Sequence, residues 1–219
     1  MVGRDFSMTP ELKRYVVEHS MPIDEIARDL IDETYSRLPA QSTMQISSDQ
    51  AGFLTLITKL VGVRHAVEVG TFTGYSSLAI ARGLAEGGRL LCCDVSEEWT
   101  SIGRRYWKRA GVADRIELRI APAIETLRGL PPDPYLDLAF IDADKEGYVS
   151  YWDELVPRMR PGGVILVDNT LWSGRVVDPA PGEATTDAIR AFNDHAASDD
   201  RVELVMLSIS DGVTMARRL

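Results

Sequence analysis

The first 62 residues place apolar side chains three and four positions apart, which is the spacing of an amphipathic helix. Thr9-Pro10 combines an N-cap residue with a first-turn proline, and Ser48-Asp49 gives a second capping signal further along. The polar, irregular stretch 39–47 separates the second apolar pattern from the third. We therefore predict three helices, over residues 10–19, 23–37 and 49–62.

From His65 onward, short apolar runs alternate with segments of helical spacing. This alternation is typical of βαβ units and predicts a parallel sheet with helices on both faces. The predicted strands cover 65–70, 89–94, 115–119, 136–142 and 163–168. The predicted helices cover 74–86, 97–110, 122–129, 146–158 and 184–197.

The end of the chain departs from this alternation. Two further predicted strands, over 202–209 and 211–217, are joined around Ser210-Asp211-Gly212. This link is too short for a helical crossover, so the two strands are predicted to form an antiparallel hairpin at one end of the sheet.

Composition narrows the class of protein. At 219 residues, with 45% apolar and 26% charged residues, the chain has the length and balance of one globular domain. A formal net charge of −9 argues against a nucleic-acid partner, because proteins that bind phosphate backbones carry a basic surplus. No apolar run would span a membrane, and the N-terminus lacks the apolar segment of a signal peptide. The adjacent Cys92 and Cys93 are interpreted as strand residues of a cytoplasmic protein.

The stretch from Ala66 to Leu78 carries the first functional signal. It reads as a buried strand, a glycine turn and a helix N-terminus, an arrangement that cradles the polar end of a cofactor. The turn has the spacing Gly70-x-x-x-Gly74 rather than Gly-x-Gly-x-x-Gly, and the strand carries the acidic Glu68. A carboxylate at this point repels a pyrophosphate but suits a cofactor that has an amino group or ribose hydroxyls.

Residues that follow the next strands fit the same kind of cofactor, because doubly wound sheets bind ligands at the carboxyl ends of their strands. Asp94 lies 24 residues beyond Gly70, a separation at which an acid binds ribose hydroxyls. The small residues of Ala121-Pro122-Ala123 form a corner for a flat base. Alternatively, Asp94-Val95-Ser96 simply starts the next helix, with Ser96 as its N-cap. Together these features predict a ribose-bearing nucleoside cofactor.

Two later strand ends are acidic. Asp142 follows one predicted strand and Asp168-Asn169 ends the next, so the three side chains are predicted to converge. Two carboxylates and an amide oxygen suit a hard cation such as Mg²⁺, whereas the three histidines are too scattered for a zinc site. The alternative is that both aspartates cap the helices that follow them.

Lys145 lies three residues beyond Asp142, close enough to face the same pocket. A lysine that is partly desolvated beside a cation has a lowered pKa, which permits it to act as a general base. The alternative is a surface ion pair with Asp144 or Glu146.

Four motifs, in this order, carry a resemblance to a known family: EVGTFTGYSSLAIA, CDVSEEW, FIDADKEGY and LVDNTLW. From Met44 to the last strand, the chain resembles a bacterial-type member of the cation-dependent class I S-adenosylmethionine O-methyltransferases of the caffeoyl-CoA and catechol type. The resemblance implies a Rossmann-like α/β fold: a doubly wound, seven-stranded, mostly parallel sheet with an antiparallel C-terminal hairpin. It also implies a single domain over residues 1–219, in which residues 1–62 form a helical part that covers the site.

The resemblance assigns roles to individual residues. Residues implied to bind S-adenosylmethionine are Met44, Ile46, Glu68, Gly70, Thr71, Ser76, Asp94, Ala123, Asp142, Asp144 and Tyr151. The implied ligands of the divalent cation, Mg²⁺ in this family, are Asp142, Asp168 and Asn169. Lys145 is the implied general base, with Asp142 as the second catalytic residue. The implied substrate contacts are Lys145, Asn169, Trp172 and Ser173.

The implied reaction methylates one hydroxyl of a vicinal phenolic diol, in an enzyme that forms a homodimer. Ser173 stands where plant members carry an asparagine that touches the substrate, so the plant acceptor does not carry over. Ala121 replaces a glycine that many members have, which is a mild change.

Two other functions use the same fold. A nicotinamide-dependent oxidoreductase is disfavoured by Glu68 and by the absence of Gly-x-Gly-x-x-Gly. A catalytically silent protein that binds S-adenosylmethionine is disfavoured by the retained Asp142, Lys145 and Asp168-Asn169, which such a protein does not need.

Overall fold

The computed structural model describes residues 8–180 and 182–219, and a single seven-stranded sheet organises them. The strands are β1 (His65–Val69), β2 (Arg89–Asp94), β3 (Ile116–Ile120), β4 (Leu136–Ile141), β5 (Met159–Asp168), β6 (Val202–Leu207) and β7 (Val213–Arg218). Their order is β3-β2-β1-β4-β5-β7-β6. The first five pair in parallel, and β7 runs antiparallel to both β5 and β6. The predicted doubly wound sheet with a terminal hairpin is confirmed.

Helices cover both faces of the sheet. They are α1 (Pro10–Glu18), α2 (Glu25–Arg37), α3 (Ser48–Val61), α4 (Tyr75–Gly83), α5 (Glu97–Arg109), α6 (Ala123–Arg128), α7 (Tyr148–Leu155) and α8 (Ala184–Ala197). Buried side chains of α2 to α5 form one apolar core with the sheet, and those of α6 to α8 form a second core on the opposite face. Within the described chain, no helix combines the length and apolar character needed to cross a membrane.

The central strand β4 shows why an uninterrupted apolar run is required here. Leu138 and Phe140 point into the first core, whereas Ala139 and Ile141 point into the second. All four side chains are buried, because alternate residues of a strand face opposite sides of the sheet and both sides are covered.

Several predicted boundaries were wrong. The helix predicted over 146–158 is interrupted: α7 is flanked by two short 3₁₀ turns, Lys145–Gly147 and Val156–Arg158, and the second contains Pro157. Strand β5 begins four residues earlier than predicted, because Pro161-Gly162-Gly163 forms an irregularity within the strand rather than a turn before it.

Two element ends also differ from the predictions. The N-cap position of α3 is Ser47, so the helix starts at Ser48 and not after Ser48-Asp49. The hairpin strands are separated by five residues, 208–212, because the turn uses positive φ angles at Ser210 (50°) and Gly212 (86°).

The N-terminal helices are attached directly to the glycine turn that follows β1. The Gln45 amide donates to the hydroxyl oxygens of Thr34 in α2 and Thr73 in the turn, over 3.1 and 3.2 Å. Helix α3 also packs closely on α4, since a Cβ added at Gly83 would lie 2.6 Å from the Cβ of Thr58. These contacts hold the segment 38–47 over the carboxyl ends of the strands.

Candidate active site

A cleft of about 1090 Å³ opens at the carboxyl ends of β1, β2, β4 and β5. Its walls come from the glycine turn, from the residues directly after these strands, and from the first turn of α3. This is where ligands bind in doubly wound sheets.

The glycine turn is shaped by two close packing contacts. Gly70 has a φ of 91°, and an added Cβ would lie 1.9 Å from the carbonyl oxygen of Asp142, so a larger residue does not fit. Gly74 has a φ of 80° and lies against Trp107, whose indole N–H donates to the Gly74 carbonyl over 3.0 Å. The Gly-x-x-x-Gly spacing therefore brings the end of β1 against β4 on one side and against α5 on the other.

Asp94, at the end of β2, holds the glycine turn in place. Its Oδ2 accepts hydrogen bonds from the backbone amides of Thr71 (2.9 Å) and Phe72 (2.8 Å), and its Oδ1 accepts from the amide of Ser96 (2.8 Å). Ser96 is also the N-cap of α5 and accepts from the amide of Trp99, as the alternative interpretation predicted. A carboxylate has about four acceptor positions, so Asp94 retains capacity toward the cleft.

Glu68 is fully buried in the middle of β1, and its side chain does not line the cleft. The Ser77 hydroxyl donates to Oε2, whereas Oε1 is buried with no hydrogen-bond partner in the described part of the chain. Burial raises the pKa of this carboxyl to about 7, although neighbouring hydroxyls oppose the change. The carboxyl of Glu68 therefore lies behind the cleft wall, packed against α4 through Ser77.

Residues of α6 and α7 form the opposite wall of the cleft. The Tyr151 hydroxyl donates to Asp144 Oδ1 over 2.6 Å, and Ala123 lies nearby at the start of α6. Met44 and Ile46 reach the cleft from the segment 38–47. The predicted cofactor residues of three separate regions thus face one cleft.

The two acidic strand ends lie side by side. Strands β4 and β5 pair through Ile141 and Val167, so Asp142 and Asp168 are adjacent. Asp168 is buried, and its Oδ1 accepts a hydrogen bond from the amide of Asn169 over 2.8 Å. Burial raises the pKa of Asp168 to about 7, and the nearby Asp142 carboxylate is the second cause of this increase. The observed hydrogen bonds show neither aspartate as a helix cap.

Lys145 connects these groups. Its ammonium donates to Asp142 Oδ1 (3.1 Å), to Asn169 Oδ1 (2.7 Å) and to the hydroxyl of Tyr148 (2.7 Å). The alternative of a surface ion pair is wrong, because the carboxylates of Asp144 and Glu146 accept from Tyr151 and Thr185 instead. The lysine is mostly buried, with its charged end on the cleft wall.

The chain after Asn169 adopts a strained path along the cleft. Asn169, Trp172 and Ser173 have φ angles of 60°, 47° and 52°, a region that costs a non-glycine residue about 1–3 kcal/mol. The hairpin turn braces this path, since the Asp211 carboxylate accepts from the amide of Ser173 over 2.5 Å and the Gly212 carbonyl from that of Thr170 over 3.1 Å. Along this path, Asn169 and Trp172 lie on the cleft wall.

Comparison with known proteins gives the family. A family model described as O-methyltransferase matches residues 17–219. Caffeoyl-CoA O-methyltransferase 2 of Zea mays is 37% identical over 220 residues, which cover 95% of this chain and 83% of the relative.

The chain belongs to the O-methyltransferase family.

Two solved structures agree with this assignment. The SAH-bound methyltransferase PaMTH1 of Podospora anserina has a TM-score of 0.89 at 25% identity, with 100% of each chain covered. The O-methyltransferase TomG of Streptomyces achromogenes, in complex with SAM, has a TM-score of 0.85 at 27% identity, with 95% of this chain and 96% of TomG covered. The chain is accordingly an S-adenosylmethionine-dependent O-methyltransferase. The nicotinamide-dependent alternative is thereby left without support.

The cleft of this O-methyltransferase gathers all but one of the residues predicted from the sequence. Glu68 lies behind the wall, and the others line it: Met44, Ile46, Gly70, Thr71, Ser76, Asp94, Ala123, Asp142, Asp144, Lys145, Tyr151, Asp168, Asn169, Trp172 and Ser173. No group of three or more His, Cys, Asp or Glu side chains suited to a metal occurs in the described residues. The ligands predicted for the cation, Asp142, Asp168 and Asn169, are two carboxylates and one amide, so they do not form such a group.

Two residues of the site were not predicted. Tyr148, fully buried at the start of α7, accepts from Lys145 and donates to the backbone carbonyl of Asp168 over 3.2 Å. Tyr148 lies three residues after Lys145, a spacing that puts two residues on the same face of a helix, and this spacing could have indicated the contact from the sequence. Gln50, in the first turn of α3, lines the cleft. Nothing in the sequence distinguishes it from an ordinary polar residue of a helix N-terminus.

Proposed function

We propose that this O-methyltransferase transfers the methyl group of S-adenosylmethionine to one hydroxyl of a vicinal phenolic diol, with a divalent cation, most simply Mg²⁺, held by Asp142, Asp168 and Asn169. The observation that carries the proposal is the position of Lys145, whose ammonium contacts the oxygen atoms of both Asp142 and Asn169 on the cleft wall.

The cleft fits the methyl donor in two respects. Thr71 Oγ1, which is buried without a hydrogen-bond partner in the described residues, supplies a hydroxyl at the glycine turn. The remaining acceptor capacity of Asp94 suits the ribose hydroxyls.

The acidic strand ends fit a hard cation. Two carboxylates and an amide oxygen are ligands that Mg²⁺ prefers. Burial and, second, the Asp142 carboxylate raise the pKa of Asp168, and a cation held by both carboxylates would relieve the repulsion between them. When bound, the cation supplies a Lewis acid that anchors one oxygen of a vicinal diol and lowers the pKa of the other.

Lys145 is the proposed general base. In its neutral form Nζ accepts the proton of the reacting hydroxyl, while the oxygen forms a bond to the methyl carbon and the carbon–sulfur bond breaks. The products are the methyl ether, S-adenosylhomocysteine and a protonated Lys145. Tyr148 and Asn169 fix the direction of the amine by hydrogen bonds of 2.7 Å each.

Trp172 provides an apolar surface for an aromatic acceptor. Its ring centroid lies 5.9 Å from Lys145 Nζ and 5.0 Å from the guanidinium carbon of Arg175. An aromatic ring that packs against this indole has its hydroxyls within reach of the lysine, which favours a phenol over an aliphatic alcohol.

An acceptor panel tests the proposal. The enzyme is incubated with S-adenosylmethionine, Mg²⁺ and one of three phenols: catechol, its meta isomer resorcinol, or phenol. We expect mass spectrometry to detect a singly methylated product from catechol, and at most traces from the other two. Equal methylation of all three would contradict the vicinal-diol requirement, and no methylation of any vicinal diol in a wider panel would remove the proposed acceptor class.

A further inference from the structure

Arg175 is a cationic residue of the cleft wall that has no part in the proposed methyl transfer. It lies at the end of the strained segment that begins at Asn169, and its side chain is 45% exposed. Within residues 8–180 and 182–219, its guanidinium donates no hydrogen bond, although this group carries five N–H donors. These donors are therefore available to a molecule that enters the cleft.

Trp172 holds the guanidinium close to the reactive end. The guanidinium carbon lies 5.0 Å from the centroid of the indole ring, a distance typical of a cation–π contact. Lys145 Nζ lies 5.9 Å from the same centroid. The two cations are therefore separated by no more than the sum of these distances. A single benzene ring with a short substituent can span this gap, so one acceptor can reach both groups.

The acidic group nearest to the guanidinium leaves its donors free. Nη1 of Arg175 lies 3.7 Å from Oε1 of Glu183, which is an ion pair but is too long for a hydrogen bond. The second oxygen of Glu183 accepts from the Thr186 hydroxyl over 2.6 Å. An ion pair between two partly exposed side chains contributes little, so an incoming anion can compete for the guanidinium.

The chemistry of the guanidinium favours a carboxylate. Its planar N–H donors match the two oxygens of a carboxylate, and stacking on an aromatic ring fixes the plane of the fork in advance. The other two cations that line the cleft are less suited to this role. The ammonium of Lys145 already contacts three oxygen atoms, and Lys13 of α1 offers a point charge without a fork.

We propose that Arg175 is a specificity-determining residue, which binds a carboxylate carried by the aromatic ring of the methyl acceptor. The preferred acceptors are then vicinal phenolic diols with an acidic substituent on the side of the ring away from the two hydroxyls. The proposal rests on the proposed function, because it concerns the acceptor of that reaction. Arg175 binds the substrate at a distance from the reacting atoms, so it should affect KM more than kcat.

Three acceptors that share one diol and differ in one charge test the inference. They are 3,4-dihydroxybenzoate, 3,4-dihydroxybenzyl alcohol and 3,4-dihydroxybenzylamine, each assayed with S-adenosylmethionine and Mg²⁺. We expect kcat/KM to be about tenfold higher for the benzoate than for the neutral alcohol, mainly through a lower KM, because a hydrogen bond to a charged group contributes this much. The amine should be the poorest of the three.

Substitution of Arg175 should remove this order. Arg175→Met and Arg175→Gln both remove the charge, and in each we expect kcat/KM for the benzoate to fall about tenfold, to the value for the alcohol. Arg175→Lys keeps the charge but loses the fork, so it should retain part of the preference. A benzoate preference that survives in both neutral variants would overturn the inference.

Lys13→Met is the matched control, because it removes one positive charge from the same cleft. We expect it to retain the preference for the benzoate over the alcohol. An equal loss of preference in Lys13→Met and Arg175→Met would show that the acceptor responds to the total charge of the cleft, and the role assigned to Arg175 would be wrong.

The neutral alcohol separates this inference from the proposed function. If the unmodified enzyme methylates the alcohol and the benzoate with equal kcat/KM, the vicinal-diol reaction stands and the role of Arg175 is wrong. If it methylates none of the three diols, the proposed acceptor class is wrong and the inference falls with it.

Discussion

The two ends of the cleft are built differently. The cofactor end, formed by Glu68, Asp94 and the glycine turn, is held by hydrogen bonds to backbone amides and by close packing. At the reactive end, formed by Asp142, Lys145, Asp168 and Asn169, charged side chains contact one another and the backbone is strained. The first arrangement fixes shape, and the second concentrates charge where a reaction needs it. Substitutions at the two ends should therefore affect different measured quantities.

Lys145→Ala should have the largest effect, at the reactive end. Loss of a general base typically reduces the rate by about 10²- to 10⁴-fold, so kcat should fall by that order, whereas the Kd of S-adenosylmethionine should change little. Steady-state kinetics and calorimetry measure the two. Lys108→Ala, which removes an exposed lysine of α5, is the control and should behave as the unmodified enzyme. Equal turnover of Lys145→Ala and the control would remove the base assignment.

Gly70→Ala should disrupt the cofactor end. The added Cβ would meet the backbone of Asp142 at 1.9 Å in addition to the strain of a positive φ, so we expect a loss of about 4 kcal/mol or more in the free energy of unfolding. Gly87 also has a positive φ, of 74°, but open space around it, so Gly87→Ala should cost only about 1–2 kcal/mol. Denaturant unfolding compares the two. Similar losses would show that the close approach to β4 does not limit this position.

Glu68→Gln should change the pH dependence of stability. The pKa of Glu68 lies at about 7 in the folded protein and near 4.5 in the unfolded chain, so the folded state retains a proton that the unfolded state loses. Stability of protein prepared without S-adenosylmethionine should therefore fall as the pH rises from about 4.5 to 7, by up to about 3 kcal/mol in total. The variant should lack this component in denaturant titrations across that range.

The control for this prediction is Glu86→Gln, which replaces an exposed glutamate and should retain the pH dependence of the unmodified protein. Identical pH profiles for Glu68→Gln and Glu86→Gln would mean that burial does not raise the pKa of Glu68, and that its carboxyl is ionised in the folded protein throughout this pH range.

Asp94→Ala should produce the smallest effect, confined to the cofactor end. It removes the acceptor for the amides of Thr71 and Phe72 and the proposed partner of the ribose, so we expect S-adenosylmethionine to bind about tenfold more weakly. Mg²⁺ affinity should stay the same, because Asp94 makes no contact with the acidic strand ends. The reverse pattern, in paired calorimetric titrations, would assign Asp94 to the reactive end.

The sequence predicted the parts of the molecule that depend on local pattern. Buried apolar runs revealed β1, β2 and β4, and the parallel pairing of β4 with β5 follows from their alternation with helices. The meeting of Asp142 with Asp168 then follows from the geometry of neighbouring parallel strands. The glycine spacing likewise indicated a turn, although not that Trp107 and Asp142 make it necessary.

What the sequence did not predict depends on contacts between distant elements. Gln50 belongs to a helix that pattern analysis treats separately from the sheet, so its position on the cleft wall arises only from packing. Tyr148 reads as a core aromatic residue, and only the fold shows that its hydroxyl meets Lys145. The depth of Glu68 is also a tertiary property, because it depends on the cover that α4 provides through Ser77.

Metal removal followed by restoration tests the division between the two ends most directly. The enzyme is assayed with S-adenosylmethionine and catechol before and after treatment with excess chelator, and again after Mg²⁺ is added back, while S-adenosylmethionine affinity is followed by calorimetry. We expect methylation to be lost in chelator and restored by Mg²⁺, with the affinity for S-adenosylmethionine largely retained throughout. Full methylation in excess chelator would contradict the proposed cation site and with it the assigned chemistry of the reactive end.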